Sequence, residues 1–180
     1  MIFTTKELLS RGDTEYSIRK KVASGELHLV ERGVYSDGSS LFIDEVFLAK
    51  KYPNAVLTFL SAYYLHDLTD SVPDSFFLAT EQHSFPIRRK DVTQSYQDPS
   101  FFSVGISRME VEGGSVRIYD LERMLLETIR LRERMPADLY YEVMDSFRRR
   151  KGDLDFFRIG EYAKHFKNGD SLLHRIKSSL

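Results

Sequence analysis

Two carboxylates, Asp44 and Glu45, follow a Gly38-Ser39 step within a few residues. Nucleotidyl transfer uses a Gly-Ser turn for phosphate and two carboxylates in an Asp-x-Asp pattern for magnesium. Here the acids are adjacent and come too soon after the serine. Neighbouring helical residues point about 100° apart, so the two cannot easily share one ion. Asp44 reads instead as the start of a helix. His66-Asp67 is a pairing that metal phosphohydrolases use, but they need further histidines. His28, His83, His165 and His174 stand at no ligand spacing, so His66 reads as a packed residue on an aromatic helix. Ser61 has no glycine on either side and makes no nucleophile elbow. Tyr63 and Tyr64 read as core. The chain has no cysteine, which excludes disulfides, cysteine-based zinc sites and thiol catalysis. Neither an enzyme nor a cofactor or metal is expected.

The cations suggest a different chemistry, contact with phosphate. Arg148, Arg149, Arg150 and Lys151 form a run at the expected end of a helix, and Arg88-Arg89-Lys90 form a second run. Cations at a helix C-terminus oppose its dipole, but four in succession exceed that need and point to an outward role. Near the N-terminus, Arg19, Lys20 and Lys21 flank an apolar stripe, with Ser17 and Ser24 to the outside, and Arg32 precedes Gly33. Candidate DNA-contacting residues are therefore Ser17, Arg19, Lys20, Lys21, Arg32, Arg148, Arg149 and Arg150.

The elements that must position them read most clearly from Thr4 to Tyr35: short helix, tight turn, basic helix, small hairpin. Thr4 with Glu7 fits a capping box, and Gly12 supplies a left-handed turn. Thr14 caps the second helix, where Ile18 and Val22 face inward. Gly25 ends it. Leu27, Leu29 and Val34 carry the apolar side into a hairpin with Arg32-Gly33 at its tip. A helix-turn-helix followed by a β-wing lies on DNA. The segment is barely basic, with six Lys/Arg against five Asp/Glu between Met1 and Tyr35, so placement of charge matters more than its sum.

At 180 residues the chain is one domain or two small ones. An apolar fraction of 42% supports a core. The formal net charge of −1 gives no global field toward nucleic acid or membranes. No apolar run approaches the roughly 20 residues that span a bilayer, and MIFTTKELL lacks a secretory pattern. A cytoplasmic location and no membrane partner are expected.

The turn-rich stretch Ser36 to Ser40 suggests a boundary, dividing residues 1–38 from residues 39–180. Beyond it, Phe42 to Tyr52 reads as a helix with Phe42, Val46, Phe47 and Ala49 inward. Ala55 to Leu65 reads as a strand start and then an aromatic helix. Strands are expected at Asp74 to Thr80, Val92 to Tyr96, Phe101 to Ile106, Arg108 to Val111 and Ser115 to Tyr119, with Gly113-Gly114 as a hairpin turn. Helices are expected over Leu121–Arg134, Pro136–Arg150, Asp155–His165 and Ser171–Lys177. Asp120 caps the first, and Asp153 or Asp155 the third. Arg123 is expected to bridge to a carboxylate of the sheet. Strands followed by a run of helices indicate an α+β region.

Three blocks together resemble one family: the opening segment ending GELHLVERGVY, the stretch PNAVLTFLSAYYLHDLTD from Pro53, and VRIYDLERMLLETIR from Val116. In this order and spacing the chain resembles the AbiEi antitoxins of type IV toxin–antitoxin (abortive phage infection) systems. The resemblance implies an N-terminal winged helix-turn-helix that represses its own promoter. It also implies a C-terminal mixed α/β domain with antitoxin activity. The functional partner it implies is a nucleotidyltransferase-like AbiEii toxin, counteracted without a stable complex. Glu122-Arg123 would then mark the antitoxin surface. The family usually has a further helix before the position of Thr4, so the winged helix is expected here without its first helix. The alternative is a protein-interaction module of the same fold without DNA binding. Oligomeric state is not indicated.

Overall fold

The computed structural model describes residues 1–38 and 44–180. The fold is mixed α+β with two sheets. The chain divides into two compact units, residues 1–54 with 108–117, and residues 55–107 with 118–180. The first unit thus continues past the expected boundary at 38/39 to Asn54. Ser39, Ser40 and Phe42, which figure in the sequence expectations, lie outside the described residues.

The first unit begins with β1 (Ile2–Thr4), α1 (Thr5–Ser10), α2 (Glu15–Ala23), β2 (His28–Glu31) and β3 (Val34–Ser36), and α3 (Asp44–Lys51) follows. Local chemistry sets the helix ends. The Thr4 side chain accepts from the Glu7 amide, and the Thr4 amide donates to the Glu7 carboxylate at 2.7 Å, completing the expected capping box. Gly12 takes φ 94°, which a side chain would strain, and so reverses the chain between α1 and α2. Thr14 caps α2, and the return partner is Ser17, whose hydroxyl accepts from the Thr14 amide at 2.9 Å. Strand β1, not expected from the sequence, pairs antiparallel with β3, setting Phe3 opposite Tyr35. The sheet order is β1-β3-β2. Phe3, Leu8, Ile18 and Leu27 form the core beneath it. Helix α3 buries Val46, Phe47 and Leu48, whereas Ala49 is half-buried.

The larger sheet has the order β6-β5-β4-β8-β7. Its strands are β4 (Val56–Leu57), β5 (Phe76–Glu81), β6 (Val92–Gln97), β7 (Ile106–Val111) and β8 (Gly114–Tyr119). Strand β4 is antiparallel to β5 and parallel to β8, and β5 is parallel to β6. Helix α4 (Phe59–Leu65) follows β4, and α5 (Pro99–Phe102) follows β6. This corrects the strand expected at Phe101 to Ile106. Asp98 accepts from the Ser100 amide and Pro99 occupies the first helical position, so a local cap outweighs the β-preference of the phenylalanines. The turn before β8 is Glu112-Gly113, with Gly113 at φ 90° and Gly114 already in the strand.

The expected run of helices after Tyr119 is present: α6 (Leu121–Arg130), α7 (Ala137–Arg149), α8 (Phe156–Ala163) and α9 (Gly169–Ser179). The stretch expected to extend α6 to Arg134 ends instead in a 3-10 turn over Arg132–Arg134. Asp120 caps α6 and Asp155 caps α8. Helix α6 is buried at every position from Glu122 to Ile129, so it is the central helix of the second unit. Among the described residues no helix is long and apolar enough to cross a membrane.

Candidate nucleic-acid interface

Helix α2 turns one face inward through Ile18, which is 2% exposed, with Val22 half-buried beside it. The opposite face carries Tyr16, Arg19, Lys20 and Ala23, all exposed and spaced as one helical stripe. Arg32 and Gly33 form the tip between β2 and β3, with Gly33 at φ 83°. The Thr5 amide donates to the Gly33 carbonyl at 2.9 Å, which ties the hairpin tip to the start of α1. The hairpin is therefore held against the helix pair by backbone hydrogen bonding.

The predicted cations differ in what they touch. Lys20 and Arg32 are exposed and have no ion-pair partner among the described residues. Arg19 lies 3.9 Å from Glu15, both strongly exposed, a geometry that binds weakly in water. Lys21 pairs with Asp13 at 2.7 Å. That hydrogen bond holds the Asp13 carboxyl below its ordinary range and lifts the Lys21 ammonium above its own, so Lys21 is charged but locally neutralised. The Ser17 hydroxyl donates to Asp13 at 2.7 Å and closes the cap of α2, so it is a structural group first.

The Arg148–Arg150 run has internal partners at every head. Arg148 Nε donates to the Ser179 carbonyl at 2.8 Å. Arg149 pairs with Asp145 at 2.5 Å and donates to the Ser146 hydroxyl. Arg150 donates to the His66 carbonyl at 2.5 Å and pairs with Asp153 at 3.2 Å. Arg89 of the other run pairs with Asp91. Among the described residues of the first unit, Lys20 on α2 and Arg32 at the hairpin tip are thus exposed without a carboxylate partner, as are Lys6, Arg11 and Arg108 elsewhere in it.

The first unit also carries an apolar hollow of about 180 Å³ between α2 and the hairpin, lined by Ile18, Val22, Leu29 and Tyr35 with Arg19 at its edge. Leu29 is 57% exposed there.

The second unit is built around a buried charge. Arg123 on α6 is 0% exposed. Its Nη2 donates to Glu127 at 2.8 Å, and its Nη1 donates to the Phe101 carbonyl at 2.7 Å. The guanidinium stands 4.6 Å from the Tyr119 ring centre, 4.7 Å from Phe166 and 5.1 Å from Phe101, a cation–π cage. Arg130 takes the other oxygen of Glu127. The expected bridge from Arg123 to the sheet is therefore corrected. Its carboxylate partner is one helical turn away on α6, because a helix buried all round satisfies its charges at i,i+4. Glu122 is also buried, accepts from the Asp155 amide at 3.0 Å and lies 3.8 Å from Arg158. Neither residue of the Glu122-Arg123 pair presents a surface.

Around the start of α6, burial raises the Asp120 carboxyl above its ordinary value, although the Arg123 amide and the Tyr162 hydroxyl both donate to it. Burial and this carboxylate push the Tyr162 hydroxyl up to about 12. His66 ends α4 and bonds through Nε2 to the Tyr119 carbonyl at 2.7 Å, so Nε2 carries the proton. Burial lowers its pKa. Ser61 is buried, and its oxygen accepts from the Phe77 amide. Of the tyrosine pair, Tyr63 is core but Tyr64 is exposed. Apart from Tyr64, these groups are engaged in holding the fold. Among the described residues no three His, Asp or Glu side chains gather as metal ligands. No protein-family model matches the chain, and neither does any curated protein.

Proposed function

We propose that the first unit is a winged helix-turn-helix that binds promoter DNA through α2 and the β2–β3 tip. The observation that carries this reading is the order β1-α1-α2-β2-β3 with the sheet arranged β1-β3-β2, which sets an exposed helix stripe beside a hairpin. Lys20 and Arg32 are the principal phosphate contacts, with Arg19 joining once DNA competes with Glu15. Tyr16 and Arg19 are the side chains in position to reach base edges. Arg148, Arg149 and Arg150 are left out of the contact because their heads are already bonded within the second unit. On the sequence resemblance, the promoter is the chain's own and the protein is an antitoxin of the AbiEi type, acting in the cytoplasm as repressor and as counter to a nucleotidyltransferase-like toxin.

Fluorescence anisotropy with duplex DNA from upstream of the gene tests the DNA reading. Binding should weaken linearly with the logarithm of salt. Lys20→Ala and Arg32→Ala should each lower the slope by about one unit and weaken binding to all sequences alike. A double variant that binds with unchanged affinity and slope would overturn it.

A second reading has its own support. The apolar hollow at Ile18, Val22, Leu29 and Tyr35 suits a protein segment better than DNA, so the same unit would serve as an interaction module. In that case Leu29→Asp abolishes association with a partner protein, and Lys20→Ala and Arg32→Ala have no effect on any activity.

A further inference from the structure

We propose that the second unit contains a binding site for a nucleoside phosphate, in a cleft between β5, β6 and the end of α6. The cleft holds about 300 Å³ and lies wholly within that unit. This is at the lower bound of volumes that take small ligands. Phe59 and Phe77 make an aromatic wall, and Arg130 and Arg134 supply a cationic one. A base with an attached phosphate matches both walls: π-faces stack a base of any sequence, and guanidinium groups bind phosphate in a fixed fork.

Three features of the cleft mark it as more than a surface depression. The first is backbone strain. Phe59 has φ 47°, a left-handed conformation that a bulky residue adopts only when its surroundings impose it. The strained residue is the one whose ring faces Phe77 edge-on at 5.1 Å. The second is an unused cap. Thr58 precedes α4 in the N-cap position, is 8% exposed, and makes no side-chain cap hydrogen bond. Thr4, Thr14, Asp98, Asp120 and Asp155 all make theirs. The Thr58 hydroxyl is thus left to the cleft it lines.

The third feature is the charge balance. The one carboxylate lining the cleft, Glu127, has one oxygen on Arg123 and the other on Arg130. It is neutralised twice over and leaves the group net positive. Arg134 has no carboxylate partner among the described residues. A second hollow of about 240 Å³ shares Phe101 and Arg130 with the first and adds Lys167 and Arg175, neither of which is paired with a carboxylate among the described residues. A phosphate held at Arg130 and Arg134 therefore has a further cationic groove beside it. The nucleoside phosphate is either free or the end of a single strand, whose next phosphate would lie along Lys167 and Arg175.

Isothermal titration of the full-length chain distinguishes these sources. The probes are AMP, GMP and UMP, inorganic phosphate, and a 5′-phosphorylated tetra-adenylate. At least one nucleotide should bind in the micromolar to sub-millimolar range, with phosphate alone much weaker. Arg134→Gln, a change at an exposed position, should weaken it by about tenfold or more, as loss of a charged hydrogen bond does. Phe77→Leu should weaken nucleotide and leave phosphate unchanged. Tetra-adenylate binding about tenfold tighter than AMP, and losing that gain in Lys167→Gln/Arg175→Gln, identifies a strand end; equal affinities identify the free nucleotide. The proposal is overturned if no probe titrates, if phosphate binds as well as the nucleotides, or if Arg134→Gln binds as the parent does. The site does not depend on promoter binding by the first unit, and Arg134→Gln should leave duplex binding untouched.

Discussion

Replacing Arg123 with methionine tests whether the second unit is organised around a desolvated ion pair. Methionine fills much of the same volume, so the cavity contribution is small. The change removes the donor to Glu127, the donor to the Phe101 carbonyl and the cation within the three-ring cage. Glu127 is 3% exposed and retains only Arg130, which is partly in water. Breaking one side of a buried pair costs roughly 3–5 kcal/mol, mostly because the remaining charge is left poorly compensated. The surviving Arg130 bond places the expected loss toward the lower end, about 3 kcal/mol. Urea denaturation followed by far-ultraviolet circular dichroism measures it. The decisive measurement is the double variant Arg123→Met/Glu127→Gln. Removing the stranded carboxylate should recover part of the loss, giving a coupling of about 1 kcal/mol or more between the two positions. A loss under about 1 kcal/mol in the single variant, or strict additivity in the pair, would refute the reasoning by showing that water reaches Glu127.

Gly105→Ala should be severely destabilising, because its new Cβ would lie 2.4 Å from the Arg123 Cβ at a φ of +75°; a melting temperature within a few degrees of the parent would contradict that packing. His66 has a pKa lowered by burial, so below its unfolded value of about 6.5 the unfolded chain binds the extra proton. Its contribution to stability is therefore complete above that pH and falls on acidification toward the folded pKa, by at most about 1.4 kcal/mol per pH unit; denaturation midpoints across this window should flatten in His66→Gln. Changing Arg148, Arg149 and Arg150 together to glutamine should lower stability by about 1–2 kcal/mol through lost contacts to Ser179, Asp145 and His66, without altering the salt slope of DNA binding. Thr14→Ala should cost about 1 kcal/mol as a lost helix cap, read as a lower denaturation midpoint, and Ser17→Ala a similar amount if its role is the reciprocal cap.

Features closed within a few residues were legible along the chain. Thr4 with Glu7, Thr14, Gly12, Asp120 and Asp155 each act on their own helix terminus, and such bonds depend on sequence neighbours alone. The helical period after Tyr119 was legible for the same reason. Short elements without period were not: β1 exists because Phe3 pairs opposite Tyr35, a partner far along the chain. Helix α5 was recoverable from Asp98-Pro99, but the aromatic residues after it read as strand. Charge partners depended most on tertiary structure. Arg148, Arg149, Arg150 and Lys151 look alike in sequence, yet Arg150 meets a carbonyl 84 positions away and Arg148 one 31 positions away. Lys20 and Lys21 are adjacent, yet Lys21 meets Asp13 and Lys20 faces solvent. Composition sets how many charges a chain carries. Whether a given one is spent inside or offered outward depends on which distant backbone arrives beside it, since a polar group leaving water must find a partner where the fold brings it.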